Sequence, residues 1–541
     1  MKHRTADPLN KAMEEIKVKK EIEREDLEVQ RGESEDTEKT LPWQKQITLR
    51  GIIASFVIGS VYSIISMKLN LTTGLAPNLN VSAGLLAYVV IQTWTKMLQR
   101  GGFSPLPFTK QENTMIQTCI VACYSIAYAG GFASYLLGLN KKTYELAGVE
   151  TEGNSGYKEP GIGWMTTYSF LVCFVGLFVL IPLRKWLLSN ILIIDYKLIY
   201  PSGTATAVLI NGFHSRGDKM ARKQVRGFLK FFSMSFFWGF FRWFFQGKND
   251  CGFSQFPTFG LQAWKHTFFF DFSMTYVGAG MICTHLVNLS LLLGAVLSFG
   301  IMWPLISKLE GHWFPANMPE GSMRGLTGYK ASPIKSLSKR ERGDGLYNFV
   351  KVLFIVISNF LGKIKSKNPA TDQDKAAENL KENRLFLEET ISMKMAITGY
   401  LAFSIISTIA VPLMFPELKW YYVVVAYIIA PALSFCNAYG TGLTDINMAY
   451  NYGKVALFIV AAMSGKGTGV VAGLVGCGLM KSVISISCIL MHDFKAGHLT
   501  LSSPRSMLLS QAIGTALGAV IAPLSFFMFY KAFDVGNPKG R

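Results

Sequence analysis

The sequence predicts an all-α polytopic membrane protein, a bundle of roughly a dozen transmembrane helices that includes broken or re-entrant ones. Three observations carry this. Half of the 541 residues are apolar and only 16% are charged, a balance unlike that of soluble globular chains. The apolar residues fall into blocks near the length of about twenty needed to cross a hydrocarbon core. Finally, the Lys and Arg behind the formal charge of +19 collect between those blocks. Basic loops beside spans follow from the positive-inside bias, so the charge is read as orientation and not as a nucleic-acid footprint.

In chain order, residues 1–45 are highly charged with mixed sign and are read as a mobile cytosolic tail, with no signal peptide. Residues 46–306 form the N-terminal membrane helices. Their expected spans are Gly51 to Met67, Leu79 to Trp94, Thr109 to Leu139, Gly163 to Leu183, Gly227 to Phe245, and a long Phe268 to Ile306 stretch sized for two helices. The polar entry to the second span (Asn70, Thr72, Thr73, Gly74, Pro77, Asn78, Asn80) suits a helix break. Residues 307–345 are expected to be an irregular loop region, 346–362 a membrane helix, and 363–394 a charged cytosolic linker. Residues 395–530 hold the C-terminal helices and 531–541 a tail. In the last part, Ala396 to Phe415 and Trp420 to Phe435 form a hairpin. Gly467 to Met491 and Met507 to Tyr530 are spans, and His492 and Asp493 fall just beyond the first of these.

Two polar interruptions stand out. Residues 436–458 read CNAYGTGLTDINMAYNYGKVALF, between apolar flanks. Residues 193–214 read IIDYKLIYPSGTATAVLINGFH, where Pro201 and Gly203 break the helix and the small residues permit close packing. Polar backbone at membrane depth is tolerated only where protein encloses it or it lines a water-filled path. Paired interruptions point to a binding site, because half-helix ends offer dipoles and unpaired peptide groups. A polar loop between two ordinary spans is the alternative reading of 436–458.

Enzyme constellations are not seen. The His residues are scattered without a two-turn pairing, and no phosphate cradle fits its context. His492 and Asp493 are sequence neighbours, which do not face one another on a helix. Seven of the eight Cys lie in or beside apolar runs, leaving Cys251 in a loop, so no disulfide framework is indicated. The absence of a CxxC or His-rich tract argues against a metal held by side chains. The intramembrane polar content is amides, hydroxyls, tyrosines and glycines, suited to reversible binding of a polar solute.

The segments TKQENT, LIYPSGTATAVLINGFH, FDFSMTYVGAGMI, FPANMPEGSMRGL, GDGLYNFVK, CNAYGTGLTDINMAYNYGK and HDFKAGHLTLSSPRSM occur in that order. They resemble the yellow stripe-like branch of the oligopeptide transporter superfamily of plants, from Leu41 to Pro538. The resemblance implies proton-coupled symport of transition-metal chelates such as iron–nicotianamine or iron–phytosiderophore. The metal then arrives as chelated substrate, with no resident cofactor and no metal ligands. The implied partners are the chelate, protons and the lipid bilayer, with no nucleic acid; homo-oligomerisation is left open. The plasma membrane is placed ahead of an internal membrane. Two departures are expected to matter: the basic ASPIKSLSKRER at Ala331 to Arg342 replaces an apolar run, and the chain ends at Lys539, Gly540 and Arg541 where relatives continue. Carriage of oligopeptides, and a transport-inactive shortened isoform that damps a full-length partner, remain alternatives.

Under this reading the two broken segments face one another. Tyr200, Ser202, Thr204, Tyr276, Asn437, Tyr439, Gly440, Thr441, Gly442, Asn447 and Asn451 are the expected substrate-binding residues. Asp445 and Glu112 are the expected proton-coupling residues. For Asp445 a helix cap or a partner for Lys454 stays open beside that role, and for Glu112 an interfacial carboxylate at a helix N-terminus.

Overall fold

Peptide groups that cannot reach water must close their hydrogen bonds within the chain, and every regular element among the described residues is helical. The computed structural model describes residues 42–73, 78–103, 106–132, 136, 138–139, 141, 157–159, 161–181, 198–214, 219–245, 256–265, 269–270, 272, 274–282, 285–312, 391–464 and 469–532. The chain divides into two units, Met1–Gln46 and Ile47–Arg541. The described part of the first holds one helical turn, α1 (Trp43–Gln46).

The second unit begins with α2 (Leu49–Thr73), α3 (Asn80–Arg100), α4 (Lys110–Ala129), α5 (Ile162–Val179), α6 (Pro201–His214) and α7 (Lys219–Phe244). Short helices α8 (Leu261–Lys265), α9 (Met274–Ile282) and α10 (His285–Ala295) follow, then a π-helical stretch, Val296–Met302, and α11 (Trp303–Ser307). The C-terminal group is α12 (Met393–Met414), α13 (Trp420–Thr444), α14 (Ala449–Ser464), α15 (Gly469–Leu499) and α16 (Pro504–Ala532). Among the described residues, eight helical stretches are long and apolar enough to cross a membrane. The predicted fold class is therefore the observed one. The expected loop region 307–345 beyond residue 312, the helix 346–362, the linker up to residue 390, the basic Ala331 to Arg342 segment and the tail from residue 533 lie outside the described residues.

Apolar side chains coat the outside and polar ones collect within. On α12, Leu401, Ile405, Ile409 and Leu413 recur at helical spacing and are exposed, as a lipid-facing stripe requires. The hairpin of α12 and α13 is stitched at a proline. Pro431 has no N–H to give to the carbonyl four residues back, at Tyr427, and the Tyr400 hydroxyl donates to that oxygen instead at 2.6 Å.

The centre of the unit is α4 and α15. Helix α4 carries too many polar residues to rank among the eight apolar spans, yet it is buried almost all round. Helices α2, α3, α15 and α16 pack against it. Close approach needs small residues: the α-carbons of Gly514 and Gly518 on α16 lie against the Cys119 and Cys123 carbonyls of α4, leaving no room for a β-carbon. Gly518→Leu is expected to cost about 1–3 kcal/mol or to block assembly, read by thermal melting of detergent-solubilised protein. Gly163→Ala, which meets nothing within 4 Å, is the control expected to leave the melt unchanged.

Candidate functional site

The helix broken at residues 436–458 stops later than its glycines suggest. Gly440 and Gly442 lie inside α13, and the chain leaves the helix at Asp445 with a left-handed φ of 61°. The correction has a packing cause. A side chain at Gly442 would strike Leu198 and the Tyr200 ring, so this glycine serves helix contact and not the break. The break itself is stitched by side chains: Asn437 Oδ1 accepts from the Met448 N–H at 2.9 Å, and Asn437 Nδ2 donates to Asn447 Oδ1 at 3.0 Å. Thr441 bridges the Asn437 and Ile446 carbonyls, and Asn447 caps α14 through the Ala449 N–H at 3.0 Å while donating to Ser485 at 3.3 Å.

The second break has the same character. Tyr200 takes a φ of 44° just before Pro201 opens α6. Two bonds tie it to α13: its N–H donates to the Gly442 carbonyl at 3.0 Å, and its hydroxyl to the Ala438 carbonyl at 2.8 Å. Non-glycine residues held at positive φ are strained, and two of the three among the described residues, Tyr200 and Asp445, sit where the two broken segments touch.

Asp445 joins the breaks chemically. Its carboxylate accepts from the Ser202 N–H at 3.1 Å and from the Ser202 hydroxyl, at the N-terminus of α6. A carboxylate at the end of its own helix, α13, is thereby placed at the favourable start of another. Asn78, ahead of α3, donates to the Ser202 hydroxyl at 2.5 Å. His492 of α15 brings Nδ1 to 3.7 Å from Asp445 Oδ1, and its ring meets that of Tyr200 edge-on. Gly203 makes this possible, since its α-carbon rests on the His492 carbonyl.

The α3 start is closed by Tyr124 of α4, whose hydroxyl accepts from the Leu79 N–H at 3.0 Å and donates to Asn80 at 2.8 Å. On α15, Asp493 points to α4 and accepts from Gln117 at 3.3 Å. Lys481 lies buried on the same helix, donating to the Tyr128 carbonyl at 2.7 Å with its ammonium 3.6 Å from the Tyr450 ring centre.

The family model described as "OPT oligopeptide transporter protein" matches residues 46–540. The chain belongs to the oligopeptide transporter family. It is 63% identical over 531 residues to the metal-nicotianamine transporter YSL2 of Arabidopsis thaliana, covering 96% of this chain and 79% of that protein. To the iron-phytosiderophore transporter yellow stripe 1 of Zea mays it is 56% identical over 513 residues, 93% of this chain and 74% of that one. The probable metal-nicotianamine transporter YSL9 of rice is 63% identical over 503 residues, 92% and 72% of the two chains. As a multi-pass member of a transporter family, the protein is not an enzyme.

Of the residues singled out from sequence, this family member brings together Tyr200, Ser202, Asn437, Thr441, Gly442, Asp445 and Asn447. The rest fall elsewhere. Thr204 donates to the Ile199 carbonyl, Tyr439 stacks on Phe435, and Gly440 faces open space. Asn451 is exposed on α14, and Tyr276 lies in α9 with its side chain outside the described ones. Asp445 acts as the cap of α13, and Lys454 forms no described ion pair with it.

Glu112 is the third residue of α4, beside the Thr109 cap. Its carboxylate is held in a fork by Arg50 at 2.7 and 2.6 Å and accepts from Thr48 at 2.5 Å, the geometry of an interfacial anchor at a helix start.

His492 and Asp493 need the largest correction. They do not lie beyond a span but inside α15, both buried. Their polarity suggests an exit from the membrane, whereas α15 is enclosed by other helices and takes polar residues without meeting lipid. Tyr124, Gln117 and Lys481 carry no such signal in the sequence, since each sits in an ordinary helical run. Only the polar run ahead of α3 signalled its break.

Removing Arg50 strands a buried carboxylate, so Arg50→Ala is expected to destabilise by about 3–5 kcal/mol. Arg50→Met combined with Glu112→Leu is expected to recover most of that loss in the same thermal melt.

Proposed function

We propose that this protein is a proton-coupled symporter of transition-metal chelates such as iron–nicotianamine or iron–phytosiderophore, in a plant membrane and foremost the plasma membrane. The relatives' names support the chelate. The observation that carries the coupling is the Asp445 carboxylate of one broken helix closing the N-terminus of the other.

The mechanism runs through that contact. Ionised, Asp445 accepts two hydrogen bonds from Ser202 and holds α6 against α13. A proton on the carboxyl weakens its attraction to the α6 dipole and frees the two half-helices to part. The chelate presents carboxylates and amines, for which the residues brought together at the junction, Tyr200, Ser202, Asn437, Thr441 and Asn447, supply donors and acceptors. In this assignment Glu112 is a second coupling carboxylate, released from Arg50 on protonation. The proton and the chelate each bias the same junction, and coupling requires no more than that.

The family model's description favours a second reading, in which the cargo is a small peptide. Competition of nicotianamine against a tetrapeptide for uptake separates the two cargoes.

The test is uptake of labelled iron–nicotianamine into vesicles across a range of external pH. Asp445→Asn is expected to reduce acid-stimulated uptake about tenfold, the equivalent of one charge-assisted hydrogen bond, and to flatten the pH profile. An unchanged profile removes Asp445 from the coupling role. Growth rescue of a yeast strain lacking iron import, supplied with the chelate, checks the transport reading itself.

A further inference from the structure

Helix α15 turns two consecutive residues in different directions, about 100° apart around its axis. His492 faces Asp445 and Tyr200 at the junction of the broken helices. Asp493 faces α4, where Gln117 Nε2 reaches its Oδ1 at 3.3 Å. This second direction has no part in the junction, and it is unusual in what it leaves open.

Asp493 is 1% exposed, and its Oδ2 has no hydrogen-bond partner among the described residues. Gln117 Oε1 is equally open, and so are both side-chain atoms of Asn113, one turn earlier on α4. Buried polar atoms are almost always paired, so such a set marks a place that something mobile visits. The phenols of Tyr124 and Tyr128 on α4 lie within electrostatic reach of Asp493. On its own helix its neighbour His492 is turned to the junction. No Lys, Arg or His from α4, α5, α6, α13, α14 or α16 pairs with it among the described residues. Asp445 differs on each count, since both its oxygens are engaged at the start of α6.

We propose that Asp493, oriented by Gln117, is a further proton-carrying carboxyl of the transport cycle, separate from the Asp445 junction. This rests on the proton-coupled reading above. One proton from solution adds to Oδ2 and turns the carboxylate into a neutral acid. The same proton leaves from Oδ2 to the opposite side, and the carboxylate is restored with no other bond made or broken. Because α15 carries both His492 and Asp493, the charge on Asp493 is felt at a helix that also backs the Tyr200 break.

Two measurements on the full chain test this. In proteoliposomes with an imposed proton gradient, Asp493→Asn is expected to lower gradient-driven accumulation of iron–nicotianamine at least about tenfold and to remove its dependence on external pH. Asp493→Glu is expected to restore that dependence with a shifted midpoint, which a packing role would not do. Infrared difference spectra of detergent-solubilised protein across pH should contain a protonated-carboxyl band that is lost in Asp493→Asn and moved in Asp493→Glu. Gradient-driven uptake that keeps its pH dependence in Asp493→Asn overturns the assignment and leaves the transport reading intact. A titrating band in a parent protein that accumulates no chelate does the reverse. If Asp493→Asn does not fold, a parent spectrum whose carboxyl band is untouched by Asp493→Glu overturns the proposal.

Discussion

A helix that stops inside a hydrocarbon layer exposes peptide N–H groups that water cannot reach, and each one left open costs several kcal/mol. Three helices start at such stops, and side chains close all three. Tyr124 accepts from Leu79 ahead of α3, Asp445 from Ser202 in α6, and Asn437 and Asn447 from Met448 and Ala449 at α14. One of these three, Asp445 at the start of α6, comes from the other helix group. The breaks are therefore locked to one another, and none of them could be moved without opening a hydrogen bond elsewhere.

This mutual closure explains why polar residues gather where apolar ones would pack more simply. Asn78 and Ser202 link the first and second breaks, and Tyr200 ties the second to α13 by main chain and hydroxyl. Strain concentrates at the same places, with Tyr200 and Asp445 both at positive φ.

How far the site could be read from residues varies by element. Apolar blocks located α5, α12 and α16 to within a few residues and fixed the starts of α2 and α13, since lipid contact leaves little choice of composition. The polar stretches at 193–214 and 436–458 announced that something other than a span lay there. Their detail went astray for a definite reason. Glycines such as Gly440 and Gly442 suit a break, but a glycine removes a side chain whether the space goes to a turn or to a neighbouring ring, and at Gly442 it goes to Tyr200. His492 and Asp493 read as an exit from the membrane, because polarity along one chain does not say whether the next layer is lipid or helix.

The composition by itself determined that this chain lives in a bilayer and that it is helical, and its polar stretches marked two interruptions. These follow from the cost of exposing polar groups to hydrocarbon, which acts on every residue locally. Which interruption meets which, that Asp445 belongs to the start of α6, and that α15 turns His492 and Asp493 to different partners were decided only by the tertiary structure. Such pairings join residues up to hundreds of positions apart, as Gln117 and Asp493 are, and arise from helix packing that no local pattern encodes.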